Sequence, residues 1–260
     1  MADPMHQFQV EKVLELPTVE LPFVGAIDLS LTNSTVAMML AAGLVVLFFA
    51  MVTSAPKVVP GRLQSVGEGA YGFIDDLTTG IIGHDGRSFF PFVFTLFLFI
   101  LAMNLLGMFT IFTATSQLAV TVTFAIMTVL LVVIVGFAKS GLGFFKLFLP
   151  SGVPWYLWWL VVPIEVISFL LRPVTLSLRL FGNMLGGHVA LKVFAGFVVS
   201  LGTLGLGGGL GLLGFPGAAL ALGGVVALTA LEFLVAFLQA FVFAVLTCVY
   251  LNDAVHAGHH

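Results

Sequence analysis

The chain has 260 residues, of which 60% are hydrophobic and only 8% charged; its mean hydropathy is +1.19 and its formal net charge is −3. A soluble globular domain carries about 25% charged residues, so this composition excludes one and points to a protein dissolved in lipid. The net charge is too small to imply a nucleic-acid partner, and the lone Cys248 supports neither a disulfide nor a metal site.

Residues 1–32 form an acidic segment with Glu11, Glu15, Glu20 and Asp28. It lacks a basic start, so no cleaved signal peptide is expected. No charged side chain lies between Asp28 and Lys57, which predicts a first span at 33–54, ended by Pro56 and Lys57. Residues 55–88 cannot cross a membrane, because Arg62, Glu68, Asp75, Asp76 and Asp85 are too closely spaced. Leu63, Val66, Ala70, Phe73 and Leu77 nevertheless step by 3 and 4, the repeat of one helix face. That predicts a helix lying in the interface plane, although Gly67, Gly69 and Gly72 lower its helix propensity.

Between Arg87 and Lys139 roughly fifty residues carry no charge, enough for two spans of about 20. These are predicted at 89–112 and 117–138 within a two-span hairpin at 89–138, hinged at Thr113-Ala114-Thr115-Ser116-Gln117. A basic connector at 139–155 holds Lys139 and Lys146, then Pro150 and Pro154. The remainder, 156–260, contains long apolar segments at 156–200 and 217–251, joined by a glycine-rich link from Gly202 to Gly217 and followed by a tail. At about 1.5 Å per residue, such helices far exceed a bilayer's needs. They are expected to tilt steeply, bend or break, with Pro163 and Pro173 as bends. The predicted fold is therefore an all-α multi-pass membrane protein with about five crossing helices, one interfacial amphipathic helix and a final long, tilted hairpin.

Basic residues set the orientation. Lys57, Arg62 and Arg87 follow the first span, and Lys139 and Lys146 follow the third, whereas the opposite side offers only Lys12. The N-terminus is expected outside and the C-terminus on the cytoplasmic side.

Outside the connectors a short series of polar groups remains in apolar surroundings: Glu165, Arg172, Arg179, His188, Lys192 and Glu232, with Asp253 at the end of the last segment. A guanidinium stays protonated at any working pH. A fixed charge at membrane depth is costly, so Arg179 is expected to face a protein interior or a watery cavity on an ion pathway. Glu165, Arg172 and Arg179 are seven residues apart in turn and share one helical stripe; Asn183, at i+4 from Arg179, shares its face. His188, at i+9, turns to the back. In the last segment Glu232 and Gln239 are again seven apart. Two polar clusters follow if the long segments pair antiparallel around the glycine link: His188 with Glu232, and Glu165 with Asp253 near the cytoplasmic end. Titratable pairs in an apolar setting are what proton transfer requires, whereas Arg179 can block or attract charge but cannot relay protons.

Each residue has a plainer alternative. Arg172 and Lys192 read as structural pairs or snorkelling side chains. A lone histidine such as His188 is commonly a packing residue, and Asn104 can simply join two helices through a hydrogen bond. Gly186-Gly187 reads as a close helix approach, and His256, His259 and His260 as a solvated tail. The glycine link has no preceding strand and no phosphate-loop lysine, so no nucleotide site is expected; nor is any cofactor or metal.

The run Ser177-Leu178-Arg179-Leu180-Phe181-Gly182-Asn183-Met184, followed by Gly187-His188, resembles subunit a of the membrane sector of F-type ATP synthases. Glu165 fits that family's upstream acid, Glu232 and Gln239 its last-helix positions, and Asp253 a further acid of mitochondrial-like members. The placement of His188 and Glu232 resembles mitochondrial and alphaproteobacterial members, since other bacterial members exchange the acid and the histidine. The resemblance implies a proton-translocating, non-nucleotide-binding stator subunit in a bacterial inner membrane. Its partners would be a ring of c subunits, b-type subunits of the peripheral stalk and the rest of the synthase. Two half-channels are implied: an outer one lined by Asn183, His188, Glu232 and Asn104, and an inner one lined by Glu165 and Asp253. Arg179 would face the ring carboxylates and separate the two, with Gln239 in support. Two other classes compete, a secondary transporter and a purely structural membrane subunit. No convincing internal repeat supports the first, and the second leaves the titratable residues unexplained.

Overall fold

The computed structural model describes residues 12–15, 19–21, 25–27, 30–54, 56–109, 113–148, 155–207, 212 and 214–256. Asp28, Pro150, Pro154, His259, His260 and part of the glycine link lie outside them, as does the side chain of Lys146. The helices are α1 (Asn33–Thr53), α2 (Arg62–Ile82), α3 (Gly86–Phe109), α4 (Leu118–Ser140), α5 (Trp158–Leu206) and α6 (Gly214–His256). Five helical stretches are long and apolar enough to cross a membrane, with α2 and α3 forming one of them through a short turn. Lipid offers backbone amides no partners, so a chain this apolar satisfies them within helices. The all-α multi-pass class stands.

Several boundaries differ from the sequence reading. The third predicted span moves by no more than two residues at either end, but α3 starts at Gly86 and ends at Phe109 rather than running 89–112. The final helices are longer than expected. Helix α5 has 49 residues and runs unbroken through Pro163 and Pro173, and α6 has 43. Both would measure roughly 65–75 Å if straight, against a hydrocarbon layer of about 30 Å. The acidic N-terminal segment holds short strands: β1 (Lys12–Leu14) pairs antiparallel with β4 (Leu31–Thr32), and β2 (Val19–Leu21) with β3 (Gly25–Ile27).

Most of the segment 55–88 is helical as predicted, but the stripe of Leu63, Val66 and Phe73 stays exposed. The face packed inside the protein is Gly67, Ile74, Thr78 and Ile82. Period counting found the helix and its apolar stripe; it could not say which face the protein itself covers. Helix α2 stops at Gly83, whose φ of 78° suits glycine and whose N–H bonds to the carbonyl of Thr79.

The chain forms two compact units, each built from separated stretches. The first comprises residues 1–42, 101–117 and 181–238. Its centre is an antiparallel pairing of the later half of α5 with the earlier half of α6. Small residues permit the approach: a Cβ on Gly224 would stand 3.0 Å from Phe194, one on Gly217 3.1 Å from Leu201, and one on Gly205 3.0 Å from Phe215. The end of α3 packs here too, with Phe109 edge-on to Phe233 and Asn104 Nδ2 donating to the Ala236 carbonyl at 3.1 Å.

The second unit comprises residues 43–100, 118–180 and 239–260. Its packing is largely aromatic: Phe49 and Tyr71 meet Phe94, Phe73 meets Phe97 and Phe241, and Phe99 meets Phe124. After α4, Gly141 adopts φ 54° and the chain continues as a short 3₁₀ segment. Phe144 from that segment packs on Phe169 of α5. At the α2–α3 turn, Asp85 pairs with Lys139 at the end of α4. This exposed carboxyl lies in the polar turn between α2 and α3, and the Lys139 hydrogen bond and charge hold it below its ordinary range.

Candidate functional site

In the first unit, α5 brings His188 and α6 brings Glu232 to the same buried place. Nδ1 of His188 lies 3.1 Å from Oε1 of Glu232, and the two side chains are only 8% and 4% exposed. The pairing expected from the antiparallel arrangement is therefore present. Gly187 makes room for it, because a Cβ there would stand 2.9 Å from Oε1. Neither carboxyl oxygen receives a well-aligned hydrogen bond from another described residue. The imidazole is thus a close polar neighbour of a buried carboxyl group, an arrangement tolerated only if a proton or a pairing charge compensates it.

The second ring nitrogen is also engaged. Nε2 lies 3.0 Å from the hydroxyl of Thr113, which in turn donates to the Gly107 carbonyl at 3.2 Å. The sequence reading treated Thr113 as part of a hinge. The signal that could have singled it out was a cluster of hydroxyls, Thr113, Thr115 and Ser116, in an otherwise apolar stretch. All three are buried.

Asn104 is buried and bonds the backbone of α6 one turn beyond Glu232, as its plainer reading proposed. Its Oδ1 has no partner among the described residues. Asn183 is exposed on α5 and does not join the His188–Glu232 contact.

In the second unit the pairing differs from expectation. Asp253 meets Arg172, not Glu165: Nη1 donates to Oδ2 at 3.4 Å. Glu165 is half-buried and reaches Asp253 only through longer-range electrostatics. The guanidinium of Arg172 also lies over the rings of Tyr250 and Phe169, at 4.7 and 5.5 Å. Tyr250 is a partner the sequence reading missed; its place three residues before Asp253, on the same helix face, was the available signal. Arg172 is paired, and its planar cation suits the place: it meets a carboxylate and stacks on aromatic rings at once.

Arg179 points elsewhere. It is exposed, and among the described residues no carboxylate forms an ion pair with it. Elsewhere on the same helix Leu171, Val174 and Leu178 are exposed apolar side chains. Gln239 is half-buried on α6, with no side-chain hydrogen bond among the described residues.

These helices make a multi-pass membrane protein whose interior holds titratable side chains and whose exposed apolar surface carries a permanent charge. Residues 35–252 match the ATP synthase A chain family, and the chain belongs to it. It is 54% identical over 259 residues to the ATP synthase subunit a of Hyphomonas neptunium, covering 99% of this chain and 98% of that one. Similar agreement is found with the proteins of the same name from Rhizobium rhizogenes, 55% identical with 99% and 98% covered, and Allorhizobium ampelinum, 53% identical with 99% of each covered.

Proposed function

We propose that the chain is the proton-translocating stator subunit of a rotary F-type ATP synthase, embedded in the bacterial inner membrane with its N-terminus outside. It loads and unloads carboxylates on a ring of c subunits, and b-type stalk subunits hold it against the rest of the complex. The observation that carries this reading is the exposure of Arg179 on an apolar helix surface. A permanent cation in such a place calls for a partner outside the chain that offers a carboxylate.

The chemistry follows from charge. A ring carboxyl must be neutral to face lipid and ionised to meet Arg179. Protons then join the ring from one half-channel and leave by the other after nearly a full turn. The guanidinium repels a proton that would cross directly, and it has none to give. His188 and Glu232, with Asn183 and Asn104, serve the outer half-channel; Glu165 and Asp253 serve the inner one, and Gln239 supports Arg179. The chain binds no nucleotide, so ATP chemistry lies in other subunits of the complex.

Arg179→Ala in the assembled synthase tests the proposal. ATP-driven acidification of membrane vesicles, followed with a pH-sensitive dye, is expected to fall to background while the complex still assembles. Normal pumping would remove Arg179 from the mechanism and the reading with it.

A further inference from the structure

The hydrogen-bond direction around His188 constrains where its proton sits. A threonine hydroxyl has one proton to donate and two lone pairs to accept with. The Gly107 carbonyl, 3.2 Å from the Thr113 hydroxyl, can only accept; a hydroxyl that donates there leaves its contact with Nε2 at 3.0 Å to be filled by an N–H from the ring. With Nε2 protonated, the neutral imidazole turns its Nδ1 lone pair toward Glu232 Oε1, 3.1 Å away. A lone pair facing a carboxylate is repulsive. The contact is therefore relieved when either Nδ1 or the carboxyl group carries a proton.

We propose that Thr113 is a positioning residue that fixes the Nε2–H form of His188, so that Nδ1 and Glu232 share the transferable proton. The loop is built for this. The Thr113 carbonyl accepts from the Ser116 hydroxyl at 2.6 Å and the Ser116 amide at 3.2 Å, which fixes the backbone from which the hydroxyl projects. Gly107 packs directly against Thr113, and any Cβ there would push the threonine away. Two charged groups bear on the ring: Glu232 from α6, and Lys192, one turn further along α5. Thr113, which meets the ring from this side, is uncharged and so acts through hydrogen bonding alone.

This inference rests on the proton-loading role proposed for His188 and Glu232. Passive proton flux through the exposed membrane sector, in proteoliposomes and as a function of pH, tests it with Thr113→Val, Thr113→Ser and His188→Gln. Valine keeps the shape but offers no acceptor to a charged ring. The alkaline limb of the flux profile is then expected to move by about one pH unit toward acid, the effect of losing one hydrogen bond to a charged group. Serine restores the oxygen and is expected to return the limb to its original place. A valine variant whose limb does not move, whatever its amplitude, overturns the positioning role. Unchanged flux in His188→Gln would instead overturn the underlying reading.

A second measurement needs no Thr113 variant. Nitrogen-15 spectra of labelled histidine, with the His188 signal assigned by its loss in His188→Gln, are expected to show Nε2 protonated and Nδ1 bare when the ring is neutral. A neutral ring protonated at Nδ1 overturns the proposal.

Discussion

Two acidic residues of α6, the buried Glu232 and the half-buried Asp253, sit in the same helix and meet opposite kinds of partner. Glu232 meets an imidazole, which can gain and lose a proton, and the two are almost sealed from solvent. Asp253 meets a guanidinium, which cannot, and its side chain keeps 33% of its exposure. The first contact can hold and release a proton by itself. In the second, Arg172 supplies charge and stacking while any exchange falls to Asp253 and the solvent around it. The partner therefore decides what a buried carboxyl can do, more than the carboxyl's position on the helix.

Breaking the first pair is expected to have the largest effect. Glu232→Gln keeps shape but cannot exchange a proton near neutral pH, and His188→Ala removes the other member; each is expected to cut proton flux by roughly tenfold to a hundredfold. Exchanging the two, as His188→Glu with Glu232→His, is expected to recover part of the loss, because the same groups remain in reach of each other. Flux in reconstituted membranes reads both outcomes. Losses that simply add, with the exchange no better than either single change, would mean the residues act separately.

Arg172→Gln sharpens the contrast by removing a charge that carries no transferable proton. The expected consequence is structural: about 1–3 kcal/mol of lost stability, toward the lower end because Asp253 is partly exposed. Thermal unfolding of the purified complex reads this loss, while flux should fall less than in Glu232→Gln. Flux lost as completely as in that variant would put Arg172 on the proton path and erase the distinction drawn here.

The smallest effect is expected at the exposed pair of Asp85 and Lys139, which lies outside both sites. Asp85 is held below its ordinary range when folded, so whatever the pair contributes is present above that range and fades as pH falls through the depressed value. Asp85→Asn should therefore leave flux unchanged and lower thermal stability slightly at neutral pH, with no difference in strong acid and less in high salt. A deficit that grew with acidity would reverse the assigned sign.

Much of this protein follows from its sequence for a simple reason. An apolar chain in lipid must satisfy its backbone in helices, so the scarcity of charge alone gives the class and the approximate number of spans. The few charges left in the spans are too costly to be incidental, which is why Arg179, His188, Glu232 and Asp253 stand out without any structure. Which of them meet depends on contacts between helices far apart in the chain. The antiparallel pairing expected of two long helices consecutive in sequence placed His188 beside Glu232, and the close approaches at Gly205, Gly217 and Gly224 bear that pairing out. The same reasoning set Glu165 beside Asp253, where the structure puts Arg172, because a helical stripe gives angle and height but not reach, and the guanidinium on its long stem both pairs with the carboxylate and stacks on Tyr250. For Thr113 the sequence offered only a cluster of hydroxyls in an apolar stretch; which of them meets Nε2 of His188 is decided by the fold.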